Sequence, residues 1–451
     1  MDFVEACRQI ISLDTSPSHG TRDLMTWLAG YCREKGLHVE VLEEMLGDTP
    51  QTNLIVRPMQ ERPPLEFLLQ THLDTQDPGP FGFWKETGHN PYDAHIIDQK
   101  IYGLGTADVK LDFLCKVEAL AHFAESSGKR AWHLPPVLVG TYGEELGMPG
   151  ALKLIRKNKI SAKMAVIGEP SDLMLITAGK GMAAVEIRLP YSDEERNYRF
   201  DHNLRESTSS QSKIFNGRPA HSSTPQLGES AIKKMFEYLL LLPENLVLME
   251  VDGGVNFNTV PAQAFLELDP VTGMKEPMSK KLATVYRAVK DLEGEFLQYQ
   301  DPEFVPSHPT LNIGLIRTYE DHVFVSGSCR LPPIVTNDIY EGWMSRLKTV
   351  VQNVGGEFRV TDYKRPYRTE RQSMLVRGCL AELEALGLKT ECISQSSTNE
   401  ASLWSRVGIE CVSFGAGKRD GNIHTPNEHV AIDDLKKSIE FYQRVIERFC
   451  L

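Results

Sequence analysis

Short apolar runs recur at both ends of this chain, and helical patterns separate them. The runs are Asn53 to Val56, Leu65 to Leu69, Val137 to Thr141 and Ala165 to Ile167. Between them lie stretches such as Val109 to Ala124, where Phe113, Leu114, Val117, Leu120 and Ala121 repeat at the spacing of one helical face. Strands apolar on both faces, alternating with helices, bury themselves best as a largely parallel sheet covered by helices on each side. The fold expected is therefore α/β. The texture returns near the end of the chain, with a helix over roughly Glu370 to Leu386, a strand near Cys411 to Phe414 and a last helix from about Asp433 to Phe449.

The middle is of another kind. A strand-like run from Met182 to Leu189 leads into the polar stretch Ser192 to Ser212, which contains STSSQS and is expected to be a surface loop or excursion. Helices follow near Glu229 to Leu242, Ser279 to Leu297 and Tyr340 to Val354. They are interleaved with alternating strands at Ala262 to Leu268, Thr310 to Ile316 and His322 to Cys329. This predicts an inserted α+β domain at about 182–365, with residues 1–181 and 366–451 forming one α/β domain in two segments. There is no internal repeat.

Composition removes some functions. Acidic residues outnumber basic ones, 61 to 49, and no basic stretch exists that could displace counterions from a phosphate backbone, so no nucleic-acid partner is expected. The most apolar stretch, Tyr238 to Val251, is interrupted by Pro243, Glu244 and Asn245 and is too short for a bilayer, so no membrane association is expected. The amphipathic N-terminus, MDFVEACRQIISLDT, lacks the apolar core of a signal peptide. Eight scattered cysteines form no close pair, which fits reduced thiols in a cytoplasmic protein.

The residues after the strands are informative. Leu65 to Gln70 runs into Thr71-His72-Leu73-Asp74, Val137 to Thr141 into Gly143-Glu144-Glu145, and Ala165 to Ile167 into Gly168-Glu169. Cys411 to Phe414 leads through Gly415-Ala416-Gly417 to His424-Thr425-Pro426, and Asp108 closes a Gly-rich turn just before a helix. Ligands of open α/β sheets bind beyond the carboxyl ends of the strands, where all these groups fall. Imidazole with carboxylate suits a divalent metal, zinc first. Asp108, Glu145 and Glu169 carry a formal −3, which over-neutralises one Zn²⁺ but leaves +1 on a pair, so the charge balance favours two ions. Co²⁺ or Mn²⁺ would suit the same donors.

The segments THLDT, GLGTADVK, TYGEELG, VIGEPSD, GRPAHSS and NIHTPNE resemble, in order, the motifs of a dinuclear zinc hydrolase family. That family includes acetylornithine deacetylase, succinyl-diaminopimelate desuccinylase, aminoacylase and glutamate-releasing carboxypeptidases. The resemblance spans Thr71 to Glu428. It implies that His72 and Glu169 hold one zinc, Glu145 and His424 the other, and that Asp108 bridges them. It implies that Asp74 receives the ring N–H of His72. Glu144 would act as general base on a water bridging the metals and pass its proton to the leaving amine. His221, in the inserted domain, would stabilise the oxyanion, and Asn258 and Arg330 would contact a substrate carboxylate. Gly415 and Gly417 would present backbone N–H groups to the same carboxylate. The inserted domain would be a lid that closes over the site and a surface for homodimerisation.

Three positions depart from the resemblance. Leu111-Asp112 stands where two glycines are usual, Ser328 where an Asp is usual, and the excursion splits the strand before the His221 motif. The resemblance implies that a Glu at position 169, rather than Asp, goes with deacylases and carboxypeptidases more than with aminopeptidases, so the expected activity is hydrolysis of the amide bond of an N-acyl-L-amino acid, acetylornithine deacetylase-like. Short peptides are the rival substrates of a metallocarboxypeptidase or dipeptidase. A non-catalytic metabolite-binding homologue would be expected to lack a ligand or the base, and here Glu144 and all five ligand positions are present. A nucleotide-binding protein is disfavoured, since Gly103 and Gly105 have no third glycine and no GxxxxGK[ST] loop occurs.

Overall fold

The computed structural model of the chain describes residues 1–124, 131–203, 210–243, 246–271 and 274–451. These divide into two compact units, one of Met1–Ala178, Arg368–Ser394 and Asn399–Leu451, the other of Gly179–Tyr367 and Gln395–Thr398.

The first unit is built on a nine-stranded sheet. Its centre is parallel, in the order Pro136–Thr141, Glu66–His72, Ala162–Gly168, Glu410–Phe414. Every residue of these strands except Ala162, Lys163 and Glu410 is buried, as runs apolar on both sides require. The flanks are antiparallel, so the sheet is mixed. Thr49–Arg57 belongs to a hairpin with His38–Leu46, a strand the apolar pattern does not reveal. Leu46 pairs with Thr49, so only Gly47 and Asp48 turn the chain, and Gly47 takes φ +60° there; so short a connection forces antiparallel pairing. Leu175–Gly179 lies antiparallel to Glu410–Phe414 on the other side.

Helices cover this sheet. Phe67 stacks on Phe449 at 5.4 Å between ring centroids and Phe414 lies tilted against Phe441 at 4.0 Å, which seats the C-terminal helix Ile432–Cys450 on the strands. The helix expected near Val109 to Ala124 is found at Lys110–Ala124, but it is buried nearly all round rather than on one face, and the buried set includes Lys110, Asp112 and Lys116. Contacts with both the sheet and the C-terminal helix explain the difference.

The second unit carries a seven-stranded sheet, in the order Gln211–Asn216, Gln263–Asp269, Val247–Gly254, Thr310–Thr318, His322–Leu331, Gly181–Pro190, Glu357–Lys364. Every adjacent pair is antiparallel. Helices Ala231–Leu240, Met278–Phe296 and Asn337–Asn353 share its core, with Phe236 stacked on Tyr286 and Phe296 tilted against Trp343. The polar excursion is not a loop throughout: Asp193–Asn203 is helical, and Gln211 already belongs to an edge strand. Glu195 explains the helix, since its buried carboxylate accepts the amide of Met278 at 2.9 Å and anchors the segment. Residues 204–209, which include the first half of STSSQS, lie outside the described residues. No helix among the described residues is long and apolar enough to cross a membrane, and the eight cysteines form no disulfide.

Candidate metal centre

The register of the parallel strands decides which groups meet. His72 is level with Thr141, and Phe414 with Gly168, so the turns after these strands open on one rim of the first unit. Asp108 arrives from the Gly-rich turn. Its carboxylate faces two imidazoles at once: Oδ1 lies 3.2 Å from His72 Nε2 and Oδ2 lies 3.0 Å from His424 Nε2. Glu145 Oε1 lies 3.0 Å from the same His424 nitrogen, and Glu145 Oε2 accepts from Gln76 Nε2 at 2.7 Å. One donor atom each from Asp108, Glu145 and His424 falls within 4.8 Å of the others. Glu169 is outside that trio; its Oε2 lies 3.7 Å from Arg419 Nη1.

Asp74 has a task beyond the one expected of it. His72 Nδ1 sits 3.2 Å from the backbone carbonyl of Asp74 and 3.7 Å from its Oδ1, so the ring N–H is directed to this residue. The carboxylate itself accepts the amides of Glu144 and Glu145, each at 3.0 Å. Two consecutive N–H groups on one carboxylate fix the turn, and with it the directions in which the adjacent side chains leave the backbone. His424 adopts φ +55°, a left-handed conformation that costs about 1 kcal/mol or more for a residue with a Cβ and that gathers at functional sites.

The groups perturb one another strongly. Burial disfavours the charged His424 ring, but the hydrogen bonds and charges of Asp108 and Glu145 outweigh it and lift its pKa to about 11. His72 follows the same balance, with Asp108 and Asp74 as partners, and also lies well above its ordinary value. Burial works to raise the Asp108 pKa, yet the two histidines hold it far below the carboxylate range. Glu144 moves the other way: burial lifts its pKa well above the ordinary value, His72 opposes this, and Glu145, Glu169 and Glu400 add to it. Crowded carboxylates held together by protonated histidines are what a cation site looks like when its cations are replaced by protons. The donor set of two imidazoles and several carboxylates fits zinc.

Two carboxylates that strand-end reasoning does not single out support the rim. Glu428 accepts the amides of Ala107 at 2.7 Å, Asp108 at 2.9 Å and Gly105 at 3.2 Å, and so holds the Gly-rich turn that presents Asp108. It closes the NIHTPNE segment, which was the available signal. Glu400 has no such signal. It is 1% exposed, its Oε2 accepts from Thr141 Oγ1 at 2.8 Å and from Gln70 Nε2, and its Oε1 has no hydrogen-bond partner.

Burial raises the Glu400 pKa from 4.5 to about 8, with the His72 charge and the Thr141 hydrogen bond opposing and Asp74 and Glu169 assisting. A carboxyl whose pKa is higher in the folded state favours folding fully below pH 4.5 and loses that contribution as pH rises through about 8. Glu400→Gln removes the loss. In chelator-treated protein the variant should gain thermal stability relative to the natural chain between pH 5 and pH 8, by at most a few kcal/mol at ~1.4 kcal/mol per pKa unit. A stability difference independent of pH would contradict a protonated Glu400.

The remaining expected site residues lie in the second unit, apart from two glycines. Arg330, 5% exposed, directs Nη2 to Ser222 Oγ and to Asn258 Oδ1, both at 3.2 Å. Ser328 donates to the carbonyl of Phe257 at 2.9 Å and so braces the segment that carries Asn258. His221 is exposed, and its Nδ1 lies 2.7 Å from Ser223 Oγ. In the first unit, the Gly415 amide is already donated to Ser171 Oγ at 3.0 Å and so is committed within the fold. A Cβ at Gly415 would fall 2.5 Å from the Glu169 carbonyl, and one at Gly417 would fall 2.4 Å from the Ala107 carbonyl. These glycines let the turn pack directly on the segments bearing Glu169 and Asp108.

Comparison with known proteins gives one answer at several levels. The family model described as Peptidase family M20/M25/M40 matches residues 68–448. An acetylornithine deacetylase of Pectobacterium carotovorum subsp. carotovorum is 26% identical over 465 residues, covering 99% of this chain and 98% of the relative. One from Photorhabdus laumondii subsp. laumondii is 27% identical over 467 residues, covering 100% of this chain and 97% of the relative. Among solved structures, an aminoacylhistidine dipeptidase from Vibrio alginolyticus matches with a TM-score of 0.64 at 15% identity, covering 99% of this chain and 96% of that one. An M20 family metallo-carboxypeptidase from Sulfolobus solfataricus matches with a TM-score of 0.63 at 18% identity, covering 100% and 99%. At such identities the structural likeness bears on the fold alone.

Proposed function

The chain belongs to peptidase family M20/M25/M40 and is a hydrolase of amide or peptide bonds, and on that premise we propose that it is a two-zinc N-acyl-L-amino-acid deacylase. The observation that carries the metal reading is Asp108, whose two oxygens each face a different histidine. His72 and Glu169 would hold one ion, Glu145 and His424 the other, with Asp108 between. When bound, the ions would polarise the scissile carbonyl and make water a better nucleophile at neutral pH.

The chain's own groups do the rest. Asp74 keeps the Glu144 carboxylate beside that of Glu145 through the two amides it accepts. Glu144 takes a proton from the attacking water at its carboxylate and returns it to the departing amine nitrogen. His221 is assigned the oxyanion by the family resemblance. Arg330, already aligned by Ser222 and Asn258, supplies a planar fork for the substrate's carboxylate. The deacetylase relatives favour an acyl amino acid over a peptide. Two exposed edge strands, Gln211–Asn216 and Glu357–Lys364, support homodimerisation through the second unit.

The test compares N-acetyl-L-amino acids, their carboxyl-terminal amides and matched dipeptides in the natural chain and in Arg330→Met. The free acid should be preferred over its amide by ~10–100-fold in kcat/KM, the worth of a charge-assisted contact. Arg330→Met should abolish that preference, mainly through KM. Dipeptides outrunning every N-acyl amino acid would replace this reading with a dipeptidase.

A further inference from the structure

Asp112 and Lys116 stand out once the metal rim is described. They lie one turn apart on helix Lys110–Ala124, 4% and 0% exposed, and Lys116 Nζ is 2.7 Å from Asp112 Oδ2. A buried ion pair gains little stability over apolar residues of similar volume, because desolvation offsets the attraction. Its presence here therefore calls for a reason other than folding.

The partners supply one. Thr71 Oγ1 donates to Asp112 Oδ2 at 2.7 Å and accepts from Lys116 Nζ at 2.9 Å, and Lys116 also donates to the carbonyl of Gln70 at 2.6 Å. These two residues immediately precede His72. The Tyr442 hydroxyl lies 2.5 Å from Asp112 Oδ1 and 3.1 Å from the Phe414 carbonyl, the same carbonyl that accepts the amide of Glu169 at 3.2 Å. Gly168 presses on the cluster so closely that a Cβ there would fall 2.2 Å from Asp112 Oδ2, 2.6 Å from Thr71 Oγ1 and 2.9 Å from Lys116 Nζ. One buried carboxylate thus touches the strand that ends in His72 and the residue before Glu169, and it stands one turn along the helix that starts after Asp108.

We infer that Asp112, Lys116 and Tyr442 form a positioning unit that fixes the His72, Asp108 and Glu169 segments relative to one another and so sets the geometry in which the ions are held. The inference rests on the metal site proposed above. The three residues touch neither ion nor substrate; they act through the segments they join. Because each contact is a directional hydrogen bond to a charged or strongly polar atom, it fixes segment position more tightly than apolar packing of equal volume.

The charge-free double variant Asp112→Leu/Lys116→Met separates positioning from folding, since it removes both charges together and leaves no buried ion unpaired. Asp112→Asn, nearly isosteric, is the second variant should the double one fail to fold. Three readouts apply to each: thermal unfolding with chelator present, zinc affinity by chelator competition, and the visible absorption of the cobalt-loaded protein. The expected result is a folded variant whose zinc affinity falls ~10–100-fold, the usual effect of removing groups that orient ligands, with an altered cobalt spectrum. A folded variant with natural zinc affinity and an unchanged cobalt spectrum overturns the inference, even if its melting temperature drops. Failure of the natural chain itself to bind metal would instead sink the site reading on which the inference stands.

Discussion

Glu144→Ala should lower kcat by at least ~10²–10⁴-fold, the range for loss of a positioned general base, while zinc content stays at that of the natural chain. The structure explains why the two effects should part. The turn that presents Glu145 is held by Asp74 through the backbone amides of Glu144 and Glu145, and neither bond needs the Glu144 side chain. Truncation therefore removes the proton carrier and leaves the neighbouring ligand in place. His424→Ala should behave differently, because His424 Nε2 is the atom on which Asp108 and Glu145 converge, so its loss should lower metal occupancy along with the rate. Metal analysis beside steady-state kinetics on both variants decides the point. Near-natural turnover in Glu144→Ala would remove Glu144 from the mechanism.

Chelation should abolish turnover, and zinc should restore it with close to two ions bound per chain. Uptake at pH 7 should also release protons. In the metal-free protein, partner carboxylates keep His72 and His424 protonated well above the ordinary imidazole range, His424 up to about 11. A metal needs the neutral ring, so binding must displace about one proton from each histidine. The sign follows directly: raising the pH removes protons that compete with the metal, so apparent affinity should climb from pH 6 towards pH 9. Calorimetric titration in buffers of different ionisation enthalpy counts the released protons. Metal uptake without proton release and without pH dependence would show that the histidines are not ligands.

The strand ends were legible in the sequence because the information there is local. A run such as Leu65 to Leu69 is apolar on both faces and ends in THLD, so its burial and the placement of His72 and Asp74 beyond it follow from periodicity. Six ordered motifs then supplied the roles. The helix within the excursion after Ser192 stays hidden for the same local reason: its composition is polar, and only Glu195 reaching Met278, 83 residues away, makes a helix worthwhile there. Helix Lys110–Ala124 looked one-sided because Asp112 and Lys116 count as solvated in any hydropathy pattern until their partners are known.

What the sequence determined by itself is the alternation of the parallel strands with their covering helices and the set of groups that follow each of those strands. Backbone periodicity and turn chemistry act over a few residues, and these assignments need nothing more. Only the tertiary structure decided how those groups face one another. Asp108 between two histidines, Asp74 beneath two amides, Glu400 against Gln70 at a separation of 330 residues, and Asp112 among Thr71, Lys116 and Tyr442 all depend on distant segments meeting. Burial and charge at such meetings set proton affinity and side-chain direction, and both are properties of the packed neighbourhood rather than of any residue within it.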